Sequence, residues 1–443
     1  MRAIRFSRCL SAFLPILRPS GKRLRGLSGG CRKSRRRRSS TRYSFASGKN
    51  TRRKSSSSKS GSAPWRRNKP LPIFFGTIIP QIWSSKCMAN ECPKVLVAGG
   101  VDDKELYLAP EDQQRLASFA DWSFVPCKEG ALLGTDGQPQ DEEAWIERIG
   151  DAEAIAIYPG APNLSAELIE RNPTLKIVGE LNGDRFAQRI DVEKAWEKGV
   201  ETVDTTNGSS YPVAEWALGL ILVSLRNAGY YMRRFLAGDC RKSRDNPSFL
   251  RGELTGKRVG LIGCGHAGRR LVELLRPFNV EISVYDPYLS RALAEALDLR
   301  LTSLERVLSQ SDAVVCLAPL TPRTEGMIGP AELELIPPGT VLVNVSRGPI
   351  IDGEALVERL KRGDIIAGLD VFDPDPIPAG HEITELENVF LSPHIAGVTA
   401  ASYRRFFTLM VDELQRFFHG YETYYNLTPR SLADRRGHDF AAR

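Results

Sequence analysis

Three stretches late in the chain each end an apolar run on side chains that can do chemistry. "VLVNVSRGPIIDG" brings Asn344, Ser346 and Arg347 to a strand end, "AGLDVFDPDPIP" brings Asp370, Asp373 and Asp375, and "VFLSPHIAG" brings Ser392 and His394. A guanidinium stays charged and can fork onto a carboxylate. A histidine exchanges its proton near neutral pH, and a nearby carboxylate can orient the ring. Together they suit proton-coupled chemistry on a small anionic substrate. Any one of them alone reads as well as a packing or solvated residue, so their convergence has to come from the elements that carry them.

One such element is the glycine loop in "RVGLIGCGHAGRRLVELLRPFNVEISVYDP", where Gly263, Gly265 and Gly268 form G-x-G-x-x-G. The pattern is weak by itself, but an apolar strand-like run precedes it and Leu271, Leu274, Leu275 and Phe278 follow at helical spacing. A second strand then ends in Asp286, 23 residues after Gly263. In a dinucleotide site the first glycine makes the tight turn, the second admits the pyrophosphate, and the third lets helix and strand pack. The helix start offers free N–H groups to phosphate, where His266 is expected to face. An acid at the position of Asp286 accepts hydrogen bonds from ribose hydroxyls and disfavours a 2′-phosphate, which points to NAD.

Short apolar runs alternating with amphipathic stretches from residue 94 onward predict βα units and hence parallel sheets. The first series contains "KVLVAGG", "AIAIYPG", "LKIVGEL" and "VETVDTT"; the second has strand-like runs at 258–263, 281–285, 313–318, 341–345, 366–371 and 389–392. Ligands in such sheets bind beyond the carboxyl ends of the strands, where the Arg, Asp and His residues fall. The stretch 211–238 predicts a linking helix whose Trp and Leu stripe reads as core or subunit contact, and 400–420 predicts an amphipathic helix packing back on the first body. The expected organisation is a tail over 1–90, a substrate domain over 94–210 completed by 398–425, and an NAD-binding domain over 211–397. The last twenty or so residues read as frayed.

The net charge of +8 misleads, because residues 1–90 hold 23 of the 61 Lys and Arg and no Asp or Glu. The remainder carries 38 basic against 53 acidic residues, a poor surface for nucleic acid. The tail's charge and Ser runs predict disorder. It reads as a transit-peptide-like leader, as a basic arm, or as sequence upstream of a start at Met88. Its apolar piece "LPIFFGTIIPQIW" is too short to span a bilayer. Eight cysteines without a C-x-x-C pair favour reduced thiols in a cytosol-like compartment and no zinc site, with Cys127, Cys264 and Cys316 as core residues.

The stretches "GLIGCGHAGRRL", "LAPLTPRTEGMIG", "LVNVSRGPIIDGEAL", "AGLDVFDPDPIP" and "NVFLSPHIAG", in this order and spacing, resemble the D-isomer-specific 2-hydroxyacid dehydrogenases, which include phosphoglycerate dehydrogenase and glyoxylate/hydroxypyruvate reductases. The resemblance covers 94 to about 425. It implies an α/β protein with a discontinuous, flavodoxin-like substrate domain and a Rossmann NAD domain. It further implies Arg347 on the substrate carboxylate and carbonyl, His394 as general acid/base and Asp375 as the acid that orients it. In the same way it implies cofactor contacts from Gly263, Gly265, His266, Ala267, Gly268, Asp286, Val345 and Ser346, with Asp370 on the nicotinamide carboxamide. The implied partners are a small 2-hydroxy or 2-oxo acid and a second copy in a homodimer, with no appended regulatory domain.

Two positions depart from the family pattern. Asp375 stands where glutamate is usual, a reach about 1.5 Å shorter, which predicts reduced but real activity, with Asp373 as a substitute acid. The loop "GELNGDRFAQRIDV" over 179–192 is about two residues longer than usual, and its Arg185 or Arg189 could meet a second anionic group or merely be solvated. These departures keep open a contrasting class, an NAD(H)-sensing binding protein on a dehydrogenase fold.

Overall fold

The computed structural model describes residues 92–134, 139–183, 187–240 and 252–436. The expectations for the tail over 1–90 and for Asp184 and Arg185 therefore lie outside the described residues. In chain order the strands are β1 (Lys94–Gly100), β2 (Asp121–Lys128), β3 (Ala131–Leu133), β4 (Pro139–Gln140), β5 (Ala154–Ile157), β6 (Ile177–Glu180) and β7 (Glu201–Asp204). A second series follows: β8 (Arg258–Ile262), β9 (Glu281–Tyr285), β10 (Arg300–Leu301), β11 (Ala313–Cys316), β12 (Val341–Asn344), β13 (Ile366–Leu369) and β14 (Val389–Leu391), before a final short β15 (Asn426–Leu427). The helices that matter most for the site are α1 (Ser210–Leu225), α2 (Ala228–Leu236), α3 (His266–Leu275), α4 (Ala400–Phe418) and α5 (Pro429–Arg436).

Among the described residues these strands make two sheets, ordered β15-β7-β6-β5-β1-β2-β3-β4 and β10-β9-β8-β11-β12-β13-β14. The second is parallel throughout. The protein is thus α/β with two Rossmann-like sheets. Both faces of the central strands are covered, which is why β5, β6, β11, β12 and β13 are buried at every position and read as continuous apolar runs. On the first sheet, Phe406, Phe407, Met410 and Val411 of α4 pack against Val95, Val97, Ile177 and Val203. On the second, Leu220 and Ile221 of α1 pack with Leu271 and Leu275 of α3 and with Val259, Val315 and Val343.

Three differences from the sequence reading have local causes. The long helix over 211–238 is two helices, because Asn227 takes a left-handed conformation (φ 42°) between α1 and α2, which a short polar side chain tolerates. Residues 426–436 are more ordered than expected, since β15 pairs antiparallel with β7 and Trp196 Nε1 donates to the Leu427 carbonyl (3.2 Å). Cys92 is disulfide-bonded, against the expectation of reduced thiols, because residue spacing does not reveal pairings made in space. Cys127, Cys264 and Cys316 are free and buried, as read. Among the described residues no helix is long and apolar enough to cross a membrane, and no cluster of His, Cys, Asp and Glu could hold a metal.

Candidate active site

The carboxyl ends of β8, β11, β12, β13 and β14 open on two clefts that share Leu317 and Pro319 in their walls. The larger, about 700 Å³, is lined by Gly263, Gly265, His266, Asp286 and Tyr288 and by Thr321 and Arg323 across from them. Gly263 lies at φ 91°, and a Cβ there would stand 2.8 Å from the Ala318 amide nitrogen. A Cβ on Gly268 would stand 2.9 Å from the Gly263 carbonyl oxygen, so both glycines are required by the close approach of turn and helix. Gly265 begins α3 with no side-chain cap, which leaves the first amides of a ten-residue helix available to phosphate. The carboxylate of Asp286 is held in place by the amides of Cys264 (2.7 Å) and Tyr288 (2.9 Å), one on each oxygen, with lone pairs to spare for ribose hydroxyls. His266 lines this cleft with its ring beside Tyr425, centroids 5.8 Å apart. These residues fit a dinucleotide, and the cofactor is NAD.

The second cleft, about 450 Å³, is lined by Ala267, Val345, Ser346, Arg347, His394 and Ala396 on one side and by Asn182, Gln188, Thr206, Tyr403 and Phe406 on the other. Arg347 and His394 therefore face one space. The turn that carries Arg347 is tied down by Asn344, whose Oδ1 accepts from the Ser346 amide (3.0 Å) and whose Nδ2 donates to the Arg347 carbonyl (3.0 Å). Gly348 follows at a point where a Cβ would stand 1.8 Å from the Phe372 carbonyl oxygen. The Arg347 turn and the 372–375 segment are thus back to back.

His394 Nδ1 lies 2.6 Å from Asp375 Oδ2. The shorter acid reaches the ring, and the carboxylate at Nδ1 is that of Asp375 and not Asp373. Asp370 lines neither cleft: it is fully buried, and its carboxylate accepts from Ser392 Oγ and from the amides of Ile395 and Ala396. Its place in the fold is under the His394 loop.

In the substrate-side loop, Arg189 Nε donates to Glu180 (2.5 Å). Burial pushes the Glu180 carboxyl above its usual range, while the Arg189 charge acts in the opposite sense. Arg189 is thereby committed to a buried ion pair beneath the loop, and it is not among the cleft-lining residues. Asp204 strengthens the same loop by accepting from the amides of Ala187 (3.1 Å) and Thr206 (2.9 Å). Sequence reading did not single out Asn182, Gln188, Thr206, Tyr403 or Phe406, because no spacing marks residues that meet only when α4 folds back over the first sheet.

The chain matches the model of the "D-isomer specific 2-hydroxyacid dehydrogenase, NAD binding domain" over residues 218–396. It is 30% identical over 306 residues to a hydroxypyruvate reductase of Blautia hydrogenotrophica, covering 68% of this chain and 92% of that one. A D-3-phosphoglycerate dehydrogenase of Methanocaldococcus jannaschii is 32% identical over 281 residues, or 63% of this chain; the match spans 52% of that protein's own length. Among solved structures, D-mandelate dehydrogenase of Rhodotorula graminis in its apo forms shares the fold, with a TM-score of 0.65 at 23% identity over 76% of this chain and 97% of that one. With the glycine loop, the paired sheets and these likenesses together, the chain belongs to the D-isomer-specific 2-hydroxyacid dehydrogenase family.

Proposed function

We propose that the protein is an NAD-dependent oxidoreductase acting at C2 of a small D-2-hydroxy acid or its 2-oxo counterpart. The observation that carries this reading is the shared cleft of Arg347 and His394 beside the glycine loop, with Asp375 on the far nitrogen of the imidazole. Bound NAD supplies or accepts the hydride. Arg347 holds the substrate carboxylate and draws electron density from the C2 oxygen through a charge-assisted hydrogen bond. His394 Nε2 gives a proton to that oxygen during reduction and takes it back during oxidation, while Asp375 at Nδ1 fixes the ring's orientation. Val345 and Ser346 shape the wall on the cofactor's side, and Asn182 and Gln188 face the substrate from the other. The domain division at residue 210 and again near 398 serves this chemistry, because a cleft between two bodies can close and exclude water.

The test is a panel of glyoxylate, hydroxypyruvate, pyruvate and bulkier 2-oxo acids, each incubated with the full chain and NADH while cofactor absorbance is followed. Oxidation of NADH with at least one acid is the expected outcome. Retained NADH binding with no oxidation across the panel would replace the enzyme by the sensing protein, a reading against which the formed Asp375–His394 contact already speaks.

The proposal extends to a homodimer. Met232, Phe235 and Leu236 stand exposed on α2 and are the apolar face through which two copies would meet. Sedimentation velocity at micromolar concentration is expected to give twice the chain mass, and a monomer there would remove this part of the proposal.

A further inference from the structure

His394 is held in a conformation its own backbone resists. It sits at φ 53°, in the left-handed region, where a residue with a Cβ is strained. What holds it is the Asp370 segment beneath. The Asp370 carbonyl accepts from the His394 amide (2.9 Å), and the Asp370 carboxylate accepts from the Ile395 amide (3.0 Å) on Oδ1 and the Ala396 amide (2.8 Å) on Oδ2. This carboxylate is fully buried, and its charge is met by hydrogen bonds from the loop it supports.

One further donor reaches it through Ser392 from α1, which packs on the second sheet. Ser392 Oγ lies 2.5 Å from Asp370 Oδ1, and Trp216 Nε1, on α1, lies 2.9 Å from the same Ser392 oxygen. An indole N–H can only donate. The Ser392 hydroxyl must therefore accept from Trp216, which leaves its own proton for Asp370. The direction of the whole chain, indole to hydroxyl to carboxylate, is fixed by the first donor. Without it the hydroxyl is free to rotate toward other acceptors, and the fully buried carboxylate loses a donor.

We propose that Trp216 is a positioning residue for the acid/base histidine, acting through Ser392 and Asp370 to hold the 392–396 loop so that His394 meets Asp375 and the substrate cleft. The inference rests on the assignment of His394 as the acid/base. Trp216 touches neither substrate nor cofactor among the cleft-lining residues, so its removal should act on turnover and leave nucleotide binding alone.

The experiment compares Trp216→Phe, Ser392→Ala, Ser392→Thr and the Trp216→Phe/Ser392→Ala double variant with His394→Gln, all in the full chain with NADH. Turnover is read on whichever acid the panel shows to be fastest. Trp216→Phe keeps an aromatic ring against the second sheet while removing the N–H together with the rest of the pyrrole ring. We expect it to lower kcat 3- to 30-fold, with NADH affinity within twofold and thermal midpoint nearly unmoved. Ser392→Ala should cost as much or more, Ser392→Thr should restore turnover to within threefold, and the double variant should be no worse than Ser392→Ala by more than twofold, since both act along one path. An imidazole NMR spectrum gives a readout independent of turnover: the resonance missing from His394→Gln should shift or broaden in Trp216→Phe. Unchanged kcat together with an unmoved His394 resonance would overturn the proposal, as would equal losses in kcat and in thermal stability. If His394→Gln itself keeps full turnover, the acid/base assignment fails instead; if the panel yields no turnover, the His394 resonance alone decides whether Trp216 positions the loop.

Discussion

Replacing His394 with Gln is expected to lower turnover roughly 10² to 10⁴-fold while leaving NADH affinity within about twofold. Glutamine keeps a polar group of similar reach but cannot carry a proton to the C2 oxygen and return it, and it gives up the contact between Nδ1 and Asp375. The nucleotide site should not notice. Its glycine turn, the open amides of α3 and the braced Asp286 lie on other strand ends, held by their own hydrogen bonds. Stopped-flow absorbance for turnover and fluorescence quenching for NADH separate the two. A variant with undiminished turnover on its best substrate would show that the proton comes from somewhere else.

Gly348→Ala is expected to be nearly as damaging, by a different route. The added methyl would have to occupy space 1.8 Å from the Phe372 carbonyl oxygen and 2.0 Å from its carbon, both main-chain atoms that cannot swing aside. The Arg347 turn and the 372–375 segment must then separate, and Arg347 and Asp375 move with them. Overpacking of this kind costs about 1–3 kcal/mol of stability, and a displacement of about 1 Å at the reacting groups costs on the order of a hundredfold in rate. We expect kcat/KM to fall by that order in whatever fraction folds, with a lower denaturation midpoint in urea. Wild-type activity and midpoint together would mean that the two segments have slack the close approach does not suggest.

Much of the architecture could be read in advance, and the reasons differ by element. Six of the seven strands of the second sheet were legible, because doubly covered central strands are nearly continuous apolar runs and β9 falls where its run ends in Asp286; the two-residue edge strand β10 left no such run. The margin of β2, β3 and β4 was not, since β2 carries Pro126 and buries only Val125 and Cys127, at a place where pairing, and not burial, decides the conformation. The glycine loop, Arg347 and His394 were visible as motifs. Their convergence on one cleft follows from strand order, which local pattern does not encode. Whether Asp375 could reach His394 turned on the path of the 370–376 segment, and the place of Asp370 under the loop turned on donors supplied by residues 392, 395 and 396. Trp216 looked like one more apolar residue on α1, because a sequence shows an indole's bulk and hides where its N–H points.

The antiparallel pairing of β15 with β7 has a bearing on solubility. A bare outermost strand offers its unpaired amides and carbonyls to any extended chain in reach. Here Asn426 and Leu427 fill that margin opposite Val203 and Thr202, so the molecule's own closing residues act as a hem against fibrous self-association.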